Sequence, residues 1–159
     1  MRKNVLRIGA FDGIVSAVYY LGCVMRIMAI DYGEARIGLA VSDLTGMICG
    51  EAWTMNEWNL ERAVQKITDE TKQRDVGTLV LGLPKNMNGT EGARAKKCRG
   101  IAQMLMEASG LPVVLWDERR SSIEAHAILH AGGKKEKQHR KTVDAVAASL
   151  ILEGYLGSL

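Results

Sequence analysis

From residue 25 onward the apolar positions fall into short runs whose spacing changes along the chain. Arg26-Ile27-Met28-Ala29-Ile30 is a compact apolar run closed by Asp31, and it predicts a buried strand. Asp31-Tyr32-Gly33-Glu34-Ala35 reads as a turn with Gly33 at positive φ, and Arg36–Val41 as a second strand returning beside the first. Residues 47–54 give a third, so the opening predicts an antiparallel meander. The period then lengthens: Leu60, Ala63, Val64, Ile67 and Thr71 share one helical face, predicting a helix over 57–73. Val76–Leu83 is almost continuously apolar, as a central strand covered on both faces requires, and Pro84 ends it. Ala95, Cys98, Ala102, Leu105 and Ala108 mark a helix over 90–109, and residues 112–116 a fifth strand. Ser121 and Glu124 have capping-box spacing for a third helix, and Val143, Val146, Ala147, Leu150 and Ile151 give a last one over 143–156. Between them, residues 132–141 contain no apolar side chain and read as an exposed, mobile loop. The order β-β-β-α-β-α-β-α-α describes an α/β sheet that begins antiparallel and continues through parallel crossovers.

A chain of 159 residues makes one domain, and 47% apolar with 25% charged residues is the composition of an ordinary globular protein. Disorder and collagen-like structure are excluded as the main state. Cys23, Cys49 and Cys98 are odd in number and lack metal-ligand spacing, which fits a reducing cytoplasm better than a disulfide framework. Residues 1–24 have the basic start and apolar stretch of a signal peptide, but Asp12 opens that stretch and a strand follows at once. They read instead as an N-terminal extension, or an upstream start codon, ahead of a domain over 25–159; the stretch is too short to span a bilayer.

Charge alters the picture locally. Twenty-one basic and eighteen acidic residues leave a net charge of only +3. Yet Lys134–Lys141 and Lys85–Arg99 each carry five basic residues against one glutamate. Two basic stretches near carboxylates suit a polyanion backbone, although a solvated face has the same composition. The carboxylates at issue stand where strands and helices end: Asp31 after the first strand, Asp117 and Glu118 after the fifth, and Asp144 in the first turn of the last helix. Brought together, they could hold hard divalent cations, which take oxygen ligands. Each also has a plain reading: a turn bond for Asp31, a helix-dipole preference for Asp144, and surface pairing with Arg119 or Arg120 for Asp117 and Glu118. The loop from Gly82 to Thr90 precedes a helix N-terminus able to receive a phosphate, but it is neither a Walker loop nor a GxGxxG turn. His126 and His130 lack a third ligand nearby, and Trp53, Trp58 and Trp116 read as packing residues.

Four ordered blocks resemble the YqgF family: Asp31–Asp43 (DYGEARIGLAVSD), Val80–Pro84 with Asn88-Gly89, Asp117-Glu118-Arg119, and Val143–Ala148 (VDAVAA). Its members are small bacterial proteins described as Holliday junction resolvases or as nucleases maturing the 5′ end of pre-16S rRNA. The resemblance covers essentially all of 25–156. It implies an RNase H-like fold: a five-stranded mixed sheet, three strands antiparallel and then two parallel, flanked by helices. Carried over by motif, Asp31, Glu118 and Asp144 become the catalytic, metal-binding carboxylates, with Mg²⁺ or Mn²⁺ as cofactor. Asp117 competes with Glu118, since adjacent strand residues point to opposite sides. Arg36, Lys85, Asn86, Arg94, Lys97, Arg119, Lys134 and Lys135 are the implied nucleic-acid contacts. Partners would be structured RNA or branched DNA and ribosomal precursor particles, with no membrane, for a monomer or a homodimer. The chain departs from the family pattern at Arg120-Ser121-Ser122 and at Ala145, which bears on substrate contacts more than on metal binding. A binding module without cleavage is the competing class; a sugar-kinase-like phosphotransferase would need a second domain.

Overall fold

The computed structural model describes residues 25–117 and 136–159, with only the backbone of 136–142. The third helix expected from Ser121 lies outside these residues, as does the 1–24 extension. Five strands form one sheet in the order β3-β2-β1-β4-β5. They are β1 (Arg26–Tyr32), β2 (Arg36–Ser42), β3 (Cys49–Asn56), β4 (Val76–Leu83) and β5 (Val113–Asp117). β1 pairs antiparallel with β2 and β2 with β3, while β1–β4 and β4–β5 are parallel. This is the mixed sheet expected from the change of period.

Among the described residues there are three helices: α1 (Leu60–Gln73), α2 (Ala93–Ser109) and α3 (Glu136–Leu156). The central strands are apolar on both sides because both sides are covered. Met28, Ile30, Leu79 and Leu81 pack with Ala63, Val64 and Ile67 of α1 and Ile101 and Leu105 of α2. Ile27, Ala29, Ala40 and Val80 pack on the opposite face with Ala148, Ile151, Leu152 and Tyr155 of α3. Asn59 caps α1, its side chain accepting from Arg62 N at 2.9 Å, and Gly110 ends α2 in the left-handed region at φ 70°.

Several expectations are corrected. β1 runs on to Tyr32, so Asp31 lies within the strand, opposite Gly38 of β2. Gly33 is not among the residues with positive φ; it is needed because a Cβ there would stand 2.4 Å from the Arg36 carbonyl oxygen. Helix α3 starts at Glu136, inside the stretch read as a loop, because a polar run with good helix formers extends a helix without leaving an apolar signal. Trp53 is partly buried under the Arg74 guanidinium, 4.1 Å from its ring centroid, and Trp116 meets Tyr155 edge-on at 5.8 Å. Trp58 is no packing residue: it is 75% exposed. No helix among the described residues is long and apolar enough to cross a membrane.

Candidate metal centre and nucleic-acid interface

Strand alternation decides which side chains can meet. Ile27 and Ala29 belong to the face covered by α3, so Asp31, two residues further, shares that face. Gly38 stands opposite Asp31, and a Cβ on it would lie 1.9 Å from the backbone oxygen of Asp144. The missing side chain therefore lets α3 rest directly on β2, which carries Asp144 to Asp31. Asp144 is eight residues past Glu136, in the third turn of α3. A preference for the positive end of a helix dipole cannot account for it there.

The pair is electrostatically uncomfortable. Burial pushes the Asp31 carboxyl up to about 6, the Asp144 charge pushes it further in the same direction, and Arg94 pulls it partly back. Among the described residues no hydrogen bond is among the causes acting on the Asp31 carboxyl, so the turn-bond reading of its side chain is not met. Oδ2 of Asp144 is buried and accepts no hydrogen bond, although Arg36 Nε lies 3.3 Å away. The charges attract, but the contact is an ion pair without a hydrogen bond to that oxygen. A buried oxygen without a donor, beside a second carboxylate, is the donor chemistry a hard divalent cation completes. Both groups thus fit Mg²⁺ or Mn²⁺. Among the described residues no group of three acidic, histidine or cysteine side chains forms, and Glu118 lies outside them.

Asp117 is placed elsewhere. Val113 and Leu115 pack on the α1–α2 side, so Asp117 shares that face rather than the face of Asp31, and its carboxylate is 3.9 Å from Lys85.

The expected phosphate contacts divide into groups. Arg94 is exposed in the first turn of α2 and lies near enough to Asp31 to influence its charge. Lys97 Nζ bonds Glu34 at 2.8 Å and stands 5.9 Å from the Tyr32 ring centroid, tying α2 to the β1–β2 turn and holding the Glu34 carboxyl below its usual range. Asn86 donates to Thr90 Oγ1 at 2.9 Å and shapes the loop before α2. Arg36 faces Asp144, while Arg119, Lys134 and Lys135 lie outside the described residues. The N-terminus of α2 has Gly92 as its cap, no side-chain cap bond and no acidic residue in its first turn. Sequence reasoning missed Gly38; a glycine inside a strand, a sign of close backbone approach, was its signal.

A mixed five-stranded sheet with paired carboxylates beneath a helix defines the RNase H-like class of folds. Solved structures agree. The chain is similar to Thermus thermophilus RuvC in complex with a Holliday junction substrate (TM-score 0.56, 14% identity, covering 84% of this chain and 97% of that one). It is also similar to the fowlpox virus Holliday junction resolvase (0.54, 19%, 85% and 100%) and to the large terminase nuclease of thermophilic phage G20c (0.51, 15%, 82% and 81%). The chain belongs to the RuvX family, described as Holliday junction resolvase, whose profile matches residues 25–158. Relatives from Thermoanaerobacter pseudethanolicus (39% identity, 84% of this chain and 97% of the relative) and Clostridium acetobutylicum (36%, 85% and 100%) carry the provisional name pre-16S rRNA nuclease.

Proposed function

We propose that this protein is a metal-dependent endonuclease for structured nucleic acid, and that its substrate is the 5′ end of precursor 16S rRNA. The observation that carries this reading is the half-buried meeting of Asp31 and Asp144, two carboxylates brought together at a glycine, with the buried Oδ2 of Asp144 accepting no hydrogen bond. Glu118 is the proposed third ligand: Asp117 shares the face of Leu115, so alternation favours its neighbour for the Asp31 side. Two bound Mg²⁺ or Mn²⁺ ions would supply a water of lowered pKa and charge stabilisation at the leaving 3′-oxygen. The chain's own part is to hold and orient. Asp31 and Asp144 are fixed by β1 and α3, so their spacing is set before substrate arrives. Arg94 and the open N-terminus of α2 offer positive charge to a phosphate, with Lys85 and Lys97 at the flanks. The relatives' name supports RNA, and ribosomal precursor particles are the implied setting.

A four-way DNA junction is the second reading, favoured by the family description and by the resolvase folds. Cleavage of a 5′-extended 16S precursor and of a four-way junction should be compared in Mg²⁺, Mn²⁺ and EDTA, for wild type and Asp144→Asn. Metal-dependent RNA cleavage lost in the variant is the expected result. Cutting of the junction alone would move the function to recombination. No cleavage of either, with binding unchanged in Asp144→Asn, would leave a binding module.

A further inference from the structure

Trp58 reads as a packing residue in the sequence, yet its side chain is 75% exposed. Tryptophan is highly buried on average, so the exposure calls for a reason. A hydrophobic staple would be the ordinary use of this position: the residue before a helix cap packs against the fourth residue of the helix. Here Asn59 is the cap and Ala63 that fourth residue, and Ala63 is buried in the core while the indole stays in water. The segment that carries the indole is nonetheless fixed. Oε1 of Glu57 accepts from the N–H groups of Trp58 and Asn59, each at 3.1 Å, and Oε2 accepts from Lys66 Nζ at 2.7 Å. Glu57 N donates to the Ala35 carbonyl at 3.2 Å, which ties the segment to the β1–β2 turn.

That tie sets where the indole stands. Asp31 is level with Gly38 of β2, and Gly38 with Thr54 of β3. Trp58 comes four residues later, past the end of β3. Two strand spacings and four extended residues put its backbone roughly 17 Å from that of Asp31. It lies at the end of the sheet that carries the two carboxylates, opposite the β2–β3 loop. The surroundings say what the ring can take. Asn56 and Asn59 are polar and exposed, and over residues 57–66 the acidic Glu57 and Glu61 are matched by Arg62 and Lys66. A single flat apolar surface in a polar, charge-balanced stretch suits the neutral, planar part of a nucleotide, since any base stacks on an aromatic face. The charge of the accompanying phosphates is met nearer the carboxylates, where Arg94 stands.

We propose that the Trp58 indole is the platform on which an unpaired base of the substrate stacks, a few nucleotides from the phosphate that is cut. The role rests on the reading of this chain as a nuclease for structured nucleic acid. A base inside a duplex has both faces covered by its neighbours, so the platform selects substrates with a single-stranded stretch beside the cut. Stacking on a fixed segment costs little ordering of the protein and holds the strand in place without reading its sequence.

Binding is to be measured by fluorescence anisotropy in Mg²⁺, on the Asp144→Asn background to hold back cleavage. The probes are a labelled RNA hairpin with a single-stranded 5′ extension and the same hairpin with the extension paired to a complementary strand. Adding Trp58→Ala or Trp58→Leu is expected to weaken binding of the single-stranded form by about fivefold or more, the scale of one lost base stack, and to leave the paired form unaffected. Trp58→Phe keeps an aromatic face and should retain most of the affinity. One abasic position in the extension should weaken binding to the Asp144→Asn protein and weaken it no further once Trp58→Ala is present. Undiminished binding of the single-stranded form by Trp58→Ala overturns the stacking role and leaves the nuclease reading standing. Full binding by Trp58→Leu overturns it as well, because the contact would then be apolar rather than aromatic. Failure of the Asp144→Asn protein and of wild type to bind either RNA would remove the nucleic-acid reading itself, and the platform with it.

Discussion

Two aspartates of one hairpin, Asp31 in β1 and Asp43 just after β2, lie at opposite ends of the sheet and in opposite surroundings. Asp43 accepts from Thr45 Oγ1, from Met47 N at 3.0 Å and from Ile48 N at 3.3 Å, and these donors pull its carboxyl down to about 2. Asp31 has burial and a neighbouring Asp144 in place of donors, and is pushed up to about 6. The first arrangement closes a loop; the second stores electrostatic repulsion. At the Asp43 end Ser42 is likewise fully used, accepting from Ile27 N at 3.0 Å and donating to the Asp43 carbonyl. Polar groups at this end are satisfied within the fold, whereas at the other end Oδ2 of Asp144 accepts no hydrogen bond.

The largest effect should come from closing the gap that joins Asp144 to Asp31. Gly38→Ala puts a Cβ against the Asp144 backbone, so α3 must move and about 3 kcal/mol or more of stability is lost in denaturant unfolding. Gly100→Ala, in α2 with nothing within 4 Å of the added Cβ, should instead be neutral or stabilising by up to ~1 kcal/mol.

The two aspartates should then respond with opposite signs. Because the folded-state pKa of Asp31 lies above its unfolded value of 3.8, the native state binds the extra proton between pH 3.8 and about 6. Its contribution is therefore most favourable below pH 3.8 and is lost as pH rises through 6. Asp31→Asn should raise metal-free stability at pH 7, by up to roughly 3 kcal/mol, and flatten the pH dependence in that window. The folded-state pKa of Asp43 is depressed, so its contribution is present above pH 3.8 and disappears as pH falls toward 2. Asp43→Asn should destabilise at pH 7. Thermal melts across pH for both variants check this contrast, and a stabilised Asp43→Asn would break it.

The smallest effect concerns the exposed indole. Trp58→Ala should change stability by no more than about 0.5 kcal/mol, whereas Trp116→Ala, which removes the ring packed on Tyr155, should lose about 2–4 kcal/mol. A large loss at Trp58 would contradict its exposure.

These contrasts also mark what a sequence can and cannot say. The succession of elements was legible because local periodicity carries it: the apolar run Val76–Leu83 has no reading but a strand covered twice. Asp31 and Asp144 were legible as motif positions, but their juxtaposition was not, since it depends on backbone approach at Gly38, more than a hundred residues before Asp144 in the chain. The start of α3 was missed because residues 136–142 are polar throughout. Trp58 reads as a packing residue because its residue type says apolar, while its place between β3 and the Asn59 cap of α1 leaves it outside both packed faces. The pairing of Lys97 with Glu34 spans 63 residues, beyond the reach of any local pattern.

The central claim is that Asp31 and Asp144 act together as a divalent-ion site, and direct titration with Mn²⁺ by calorimetry tests it best. Wild type, Asp31→Asn, Asp144→Asn, the double variant and Asp43→Asn should be compared at one pH. The account predicts that either site substitution greatly weakens binding, that the double variant loses little more than each single one, and that Asp43→Asn binds as wild type does. Wild-type affinity in Asp31→Asn, or an equal loss in Asp43→Asn, would contradict it.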